Sequence, residues 1–291
     1  MVQFSNIALT LGLASRLGAI CDYGTTRFPR ENCVPVANFG YNGIDGPTNW
    51  YSLDKKANKL CAEGKRQSPI NIDSAIHTSP ANSNFTFRVD SYPEGATLEH
   101  LGTTLEVHVN GSLTADNKIY SLSQLHFHTP SEHRFNMEHY AMELHFVFQT
   151  ASKHLGHSIA VVAFVIEVGG EDALLTSIFD YVERAALPGN HTLTKPLVFK
   201  DIEHHLHSNK YYQYSGSLTT PPCSEGVEWY ISDTPLGIDI GTYKRVKHVL
   251  KFNARSTQHY PGRPTPRESD SNDVPFPKVM AGKQNTISVG K

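Results

Sequence analysis

Two short stretches of the chain alternate in the manner of β-strands: Gln124-Leu125-His126-Phe127-His128 and Glu143-Leu144-His145. A strand sends alternate side chains to opposite faces, so His126 and His128 share one face, about 7 Å apart at roughly 3.3 Å per residue. His145, on a neighbouring strand, would add a third imidazole to that face. Three neutral imidazoles bind Zn²⁺ and leave its fourth position to water, which is the arrangement of a catalytic zinc site.

Each stretch also carries a polar side chain that could orient an imidazole. Gln124 precedes His126 by two residues and Glu143 precedes His145 by two, so each shares the strand face of its histidine. A metal-bound imidazole donates its other N–H to a carboxylate, amide or carbonyl. The alternative is chance, because the chain has 16 histidines and most histidines are ordinary surface or loop residues. The polar neighbours favour the metal site, since burying them without partners would be costly.

Composition and charge exclude two classes of function. The 291 residues include 26 basic and 28 acidic side chains, a net charge of −2, which gives no nucleic-acid footprint. No apolar run approaches the roughly 20 residues of a membrane span, and Ile159–Val168 is short enough to be a buried strand. We expect no nucleic-acid partner and no membrane span. Whether the protein is a monomer or a homodimer stays open.

The N-terminus indicates the secretory route. Residues 1–19 contain no acidic side chain, and their apolar segment Ile7–Ala14 is followed by small residues, as in a signal peptide. The segment lacks an N-terminal positive side chain, so an amphipathic or disordered leader is the alternative. Three N-x-S/T sequons follow, at Asn84, Asn110 and Asn190. Together with four cysteines, these features predict a secreted, extracellular glycoprotein.

The remainder reads as a leader, one β-rich domain and a tail. Residues 20–37 form the leader segment, residues 38–261 the domain, and residues 262–291 a polar, proline-containing tail that we expect to be mobile. Helical patterns occur only at Leu174–Arg184 and Tyr243–Leu250, which predicts a mostly antiparallel sheet with short helices. The predicted strands are Phe85–Val89, Thr104–Val109, Gln124–Thr129, Met142–Gln149 and Ile159–Val168.

The four cysteines allow three disulfide pairings. They are Cys21, Cys33, Cys61 and Cys223, and no two form a C-x-x-C pair, so a cysteine zinc site is not expected. A bridge from Cys61 to Cys223 would close a long loop and stabilise the fold by roughly 4–5 kcal/mol in the chain-entropy model. Buried free thiols are the alternative.

Several stretches occur in one order between about residues 38 and 260: Tyr41 with Gly46-Pro47 and Trp50, Gly64–Ile70, His126–His133 with Glu143–His145, Ser217–Pro222, and Asn253-Ala254-Arg255. In this order they resemble α-class carbonic anhydrases, and coincidence does not explain them. The resemblance implies one mainly β domain built on a large, twisted, mostly antiparallel sheet with short peripheral helices. It also implies zinc at the base of a conical cleft, and reversible hydration of CO₂ to bicarbonate and a proton by zinc-bound hydroxide.

The resemblance implies a zinc cofactor and the residues that hold it. The family's zinc ligands are matched by His126, His128 and His145. Gln124 and Glu143 match the partners of His126 and His145, and a backbone carbonyl near Asn253 would match the partner of His128. Cys61 and Cys223 match the disulfide of secreted members, and we also expect a second bridge between Cys21 and Cys33.

Two further residues match those that position the hydroxide. Thr219 would accept from it and donate to Glu132, which fixes the lone pair that faces the carbon of CO₂. Considered alone, Thr219 would be a turn hydroxyl and Glu132 a surface carboxylate. The family's substrate pocket is matched by Val147, Val161, Leu218, Thr220, Val227 and Trp229, which would otherwise be ordinary core residues of a β protein.

One position departs from the family pattern. Fast members carry the proton away on a histidine in the cleft, whereas aligning Leu101–Glu106 puts Thr103 there, and threonine cannot hold a proton near neutral pH. His100 and His108 lie nearby and could substitute, although ordinary surface or strand histidines are the plainer interpretation. We therefore predict an active enzyme whose turnover is limited by proton transfer.

Two other functions remain as alternatives. Some relatives that lose a ligand histidine are non-catalytic binding modules, whereas this chain keeps all three histidines together with Thr219 and Glu132. A zinc esterase is the second alternative, although the chain has no H-E-x-x-H helix.

Overall fold

A computed structural model describes residues 34–74, 76–79, 85–150 and 159–258. Its short helices are α1 (Trp50–Leu53), α2 (Lys59–Glu63), α3 (Ala173–Phe179), α4 (Lys200–Ser208) and α5 (Ile240–Leu250). The strands are β1 (Asn71–Ile72), β2 (His77–Ser79), β3 (Thr86–Val89), β4 (Thr97–His100), β5 (Leu105–Val107), β6 (Gly111–Ala115), β7 (Lys118–His128), β8 (Arg134–Phe135), β9 (Glu138–His139), β10 (Met142–Thr150), β11 (Ile159–Val168), β12 (His191–Leu193), β13 (Tyr211–Ser217), β14 (Glu225–Ser232) and β15 (Leu236–Ile238). Turns of 3₁₀ helix lie at Gly43–Asp45 and Val182–Ala185.

Twelve of these strands form one large mixed sheet. Its main path runs β12-β4-β5-β7-β10-β11-β14-β13-β2, with β15 beside β11 and with β6 joining β3 to β7. Only the pairings of β11 with β14 and with β15 are parallel in the described part of this sheet. The predicted mainly β fold on a large, mostly antiparallel sheet is therefore confirmed. A small separate sheet holds β1, β8 and β9.

The two faces of the sheet carry different chemistry. On β7, Leu125 and Phe127 point into the main apolar core, whereas the intervening histidines point to the other face. The core side is covered by α3, α4 and α5, and Phe127 packs against Phe179 of α3 with ring centroids 4.6 Å apart. Burying a side chain such as Phe127 stabilises the fold by roughly 1.5–3 kcal/mol, so the core fixes which face the histidines occupy.

The helices differ in detail from their sequence patterns. The predicted Leu174–Arg184 helix is two pieces, α3 and the 3₁₀ turn at Val182–Ala185. The carboxylate of Asp172 begins α3 by accepting from the N–H groups of Leu174 and Leu175. The other predicted helix starts three residues early, at Ile240, because Asp239 caps the Thr242 N–H at 3.0 Å. Among the residues that the structure describes, no helix has both the length and the apolar sequence of a membrane span.

One disulfide joins Cys61 of α2 to Cys223, on the segment after β13. The expected pairing of these cysteines is confirmed. The other cysteines, Cys21 and Cys33, lie outside the described residues, as do the N-terminal 1–19 segment, the 262–291 tail and the Asn84 sequon. The Asn110 and Asn190 side chains are exposed.

Candidate metal centre

The sheet brings three imidazoles together on the face opposite the main core. The antiparallel register of β7 and β10 sets His145 directly across from His126, and His128 follows on the same face. One nitrogen from each ring lies within 4.8 Å of the others, and the ring centroids are 4.6–5.1 Å apart. All three residues are at most 2% exposed. The geometry therefore gathers three metal-ligating nitrogens at one buried point.

Each ring is oriented by a hydrogen bond from its outer nitrogen. His126 Nδ1 donates to the side-chain oxygen of Gln124 at 2.8 Å, and His128 Nδ1 donates to the backbone carbonyl of Asn253 at 2.7 Å. His145 differs, because its Nε2 donates to Glu143 Oε1 at 2.7 Å. Since a neutral imidazole has one N–H, each ring is left with an unprotonated nitrogen that faces the other rings.

The inner nitrogens fit Zn²⁺. His128 Nε2 is buried with no hydrogen-bond partner among the described residues, and His126 Nε2 lies 3.3 Å from His145 Nδ1. Burial lowers the pKa of each ring, and that of His128 falls to about 4. The rings are therefore neutral at pH 7, which is the form that binds metal. Three neutral imidazoles are a donor set of catalytic zinc sites.

The carboxylate of Glu143 is bonded at both oxygens. Oε1 accepts from His145 and from His133 Nδ1, each at 2.7 Å, and Oε2 accepts from the backbone N–H groups of Glu132 and His133, each at 2.8 Å. Burial raises the pKa of Glu143, but the electrostatic effect of His133 and His145 and the hydrogen bonds that they donate hold it well below its usual range. Glu143 is thus an ionised acceptor that holds the His145 ring in place.

Thr219 and Glu132 come from distant parts of the chain and interact beside the imidazoles. Thr219 follows β13 on the loop that the disulfide holds, where the Cys223 N–H donates to the Thr220 carbonyl at 2.8 Å. Glu132 Oε1 accepts the Arg255 N–H at 2.9 Å, and its Oε2 lies 3.5 Å from His128 Nε2. Burial raises the pKa of Glu132 to about 7, although the charge of His145 and hydrogen bonds from Arg255 and Thr219 lower it.

A pocket beside the imidazoles has a largely apolar wall. Of the six residues matched to a substrate pocket, five line it: Val147, Val161, Leu218, Thr220 and Trp229. Val227 is not in the wall but packs behind it in the same apolar cluster. The Trp229 indole N–H donates to the Ser217 carbonyl at 3.1 Å, which holds the ring in place. Ile159, which the sequence indicates only as part of a buried strand, also lines the pocket.

The structure separates the two histidines considered for proton transfer. His100 is buried; it interacts with the Val249 backbone on the core side and its Nδ1 accepts the Gly102 N–H. Burial lowers its pKa. His108 instead contacts Glu106, whose register partner is His126, so it belongs to the face of the imidazoles. Thr103 is buried, and no described group hydrogen-bonds its hydroxyl.

Comparison with known proteins agrees with this geometry. Residues 45–266 match the family model described as eukaryotic-type carbonic anhydrase. The chain belongs to this family. It is 34% identical over 229 residues to a carbonic anhydrase of Neisseria gonorrhoeae, covering 77% of this chain and 85% of the relative. The expected family is confirmed.

Two solved carbonic anhydrases show the same fold. The fungal alpha carbonic anhydrase of Aspergillus oryzae is 43% identical, with a TM-score of 0.73 over 81% of this chain and 99% of that chain. The alpha carbonic anhydrase of Thermovibrio ammonificans, solved in complex with the inhibitor sulfanilamide, is 32% identical. Its TM-score is 0.65, over 78% of this chain and 97% of that chain.

Sequence reasoning missed one chain of polar groups behind the three imidazoles. His133 bridges Glu143 to the Tyr214 hydroxyl, which lies 2.8 Å from His133 Nε2 and 2.7 Å from Ser68 Oγ. All four residues are buried. His133 and Ser68 stand inside stretches that carry the family resemblance, but neither stretch indicates that their side chains meet through Tyr214.

Proposed function

We propose that this protein catalyses the reversible hydration of carbon dioxide to bicarbonate and a proton, with Zn²⁺ held by His126, His128 and His145. The observation that carries the proposal is the buried trio of neutral imidazoles, each fixed by a hydrogen bond from its outer nitrogen. Membership of the carbonic anhydrase family supports it. In such a site Zn²⁺ supplies an activated water, whose pKa is known to be near 7 in carbonic anhydrases.

Thr219 and Glu132 position the reacting oxygen. Glu132 is buried, and its carboxylate is the acceptor that we assign to the Thr219 hydroxyl, which lowers the pKa of Glu132. With its own proton committed to Glu132, the Thr219 oxygen is left as an acceptor for the reacting O–H group. Fixing the direction of that O–H turns a lone pair towards the substrate carbon, which is a positioning effect. A divalent cation bound by the three imidazoles would also lower the pKa of Glu132 and keep it ionised.

The apolar wall suits the substrate. Carbon dioxide has no net dipole, so Val147, Val161, Leu218 and Trp229 can hold it beside the imidazoles without any polar group to replace lost hydration. Thr220 offers the same wall a hydroxyl for the bicarbonate product. The pocket therefore suits a small apolar gas.

Proton transfer is the slow step in this proposal. His108 lies on the correct face, but hydrogen bonds and charges from Glu106 and Glu99 outweigh the effect of burial and raise its pKa to about 9. At neutral pH His108 is already protonated, so it accepts a further proton only after losing its own. Thr103 does not titrate in this range, and buffer in solution carries the proton away.

The protein follows the secretory route in this proposal. The Cys61–Cys223 disulfide suits an oxidising compartment, and the exposed Asn110 and Asn190 are sterically open to glycan attachment. A signal peptide over residues 1–19, a Cys21–Cys33 bridge, a glycan at Asn84 and a state of monomer or homodimer stay predictions.

Stopped-flow measurement of CO₂ hydration tests the function. We expect imidazole buffer to accelerate turnover. Sulfanilamide, the inhibitor bound by the Thermovibrio ammonificans relative, should abolish it. Ester hydrolysis by the same sample should be far slower. A non-catalytic binding module would give no hydration above the buffer rate, and an esterase would reverse the order of the two activities.

A further inference from the structure

A second group of metal-ligating side chains lies beside the imidazole trio. The strand register sets Glu99 of β4 opposite Glu106 of β5, and Glu106 opposite His126 of β7. These residues form a row across one face of the sheet. His108 follows Glu106 by two residues and turns its ring back to it. The group is thus separate from the imidazole trio but lies on the same face of the sheet.

The spacing of this group suits a metal ion. His108 Nε2 lies 3.0 Å from Glu106 Oε1 and 3.5 Å from Glu99 Oε2, and one ligand atom of each residue lies within 4.8 Å of the others. Zinc bonds to nitrogen and oxygen of about 2.0–2.2 Å put tetrahedral ligands about 3.4 Å apart. The two measured distances lie on either side of that value, so little movement would be needed.

Burial and charge also favour a cation here. Glu106 is 2% exposed, and its Oε2 has no hydrogen-bond partner in the described part of the chain. Glu99 is buried as well. Burying two carboxylates is costly unless positive charge compensates. One imidazolium compensates only half of their charge, whereas a divalent cation compensates all of it. The His108 side chain is 31% exposed, which gives an ion access from solvent.

We propose that Glu99, Glu106 and His108 form a second site for a divalent transition metal such as Zn²⁺, with two carboxylate oxygens and one imidazole nitrogen as ligands. The mixed donor set favours Zn²⁺ over Mg²⁺ or Ca²⁺, which prefer oxygen alone.

Calorimetric titration of Zn²⁺ into the metal-free full chain tests the proposal. Wild type should bind two equivalents, a tight one and a weaker one. Glu106→Gln keeps the side-chain shape but removes its charge. Removing a residue that only hydrogen-bonds a metal ligand lowers metal affinity roughly 10- to 100-fold. Because Glu106 would be a ligand itself, the weaker equivalent should lose more affinity than that. Because Glu106→Gln alters a buried side chain, a second variant, His108→Asn at the partly exposed ligand, checks the same site and should give the same result.

Two controls separate this site from other zinc binding. His126→Ala should remove the tight equivalent and keep the weaker one, so failure of the proposed function is distinguishable from failure of this inference. A double variant, His204→Asn with His207→Asn, removes two exposed histidines of α4 and should change neither equivalent. A single equivalent in wild type, a weaker equivalent that persists in both Glu106→Gln and His108→Asn, or its loss in the α4 variant would each overturn the proposal.

Discussion

Replacing Glu143 by Gln is a severe test of the metal centre. The carboxylate accepts two N–H groups at each oxygen, at 2.7 Å and 2.8 Å. Whichever way the amide is turned, its NH₂ group faces two donors, so two charge-assisted hydrogen bonds are lost. At about 1.5–3 kcal/mol each, the loss is about 3–6 kcal/mol, which is a large part of the typical 5–15 kcal/mol stability of a domain.

The same change should weaken zinc binding, because the His145 ring loses the acceptor that orients it. We expect a decrease in zinc affinity of about 10- to 100-fold. Urea unfolding of metal-free protein measures the stability loss, and competition with a chelator measures the affinity. Glu138→Gln, at an exposed carboxylate of β9, is the matched control and should change neither quantity.

If Glu143→Gln is too unstable to purify, Gln124→Ala tests the same principle at His126 with one neutral hydrogen bond lost. A Glu143→Gln protein within about 1 kcal/mol of wild type, with unchanged zinc affinity, would refute the reasoning.

Three other changes follow from the geometry. Removing the disulfide with Cys61→Ala and Cys223→Ala opens a loop with a sequence separation of 162. The free energy of unfolding measured in urea should fall by about 5 kcal/mol. A loss below about 1 kcal/mol would contradict a role of the disulfide in holding the Thr219 loop. Thr219→Val should lower kcat/KM for hydration by about 100-fold with zinc content unchanged, whereas Thr219→Ser should stay near wild type. Because folding raises the pKa of His108 from 6.5 to about 9, its stabilising effect is complete below pH 6.5 and is lost as pH rises through 9. His108→Asn should flatten that decline in the free energy of unfolding. The pKa of His100 is lowered by folding, so His100→Asn should leave the decline unchanged.

The ligand face was predictable because a strand has a period of two. The alternation at Gln124–His128 puts Leu125 and Phe127 in the core and leaves both histidines on the opposite face. The same rule puts the outer partners of His126 and His145, Gln124 and Glu143, two residues before each histidine. The motif order between residues 38 and 260 then gave the family, the fold and the Cys61–Cys223 pairing.

Contacts that depend on strand order were not predictable in this way. Glu99 and Glu106 meet only because β4 pairs with β5 in one particular register. Ser68 and Tyr214 are 146 residues apart, and their contact depends on the packing of the whole sheet. Helix α4 was missed because only Ile202 and Leu206 of its nine residues are buried, which is a weak amphipathic signal.

The central claim is that one zinc ion on three imidazoles carries the activity. The most direct measurement adds Zn²⁺ stepwise to metal-free protein and follows CO₂ hydration by stopped flow. The rate should rise in proportion to zinc and reach its plateau at one equivalent, and His126→Ala should stay near the uncatalysed rate at that zinc concentration. Full activity without metal, or an undiminished plateau in His126→Ala, would contradict the account.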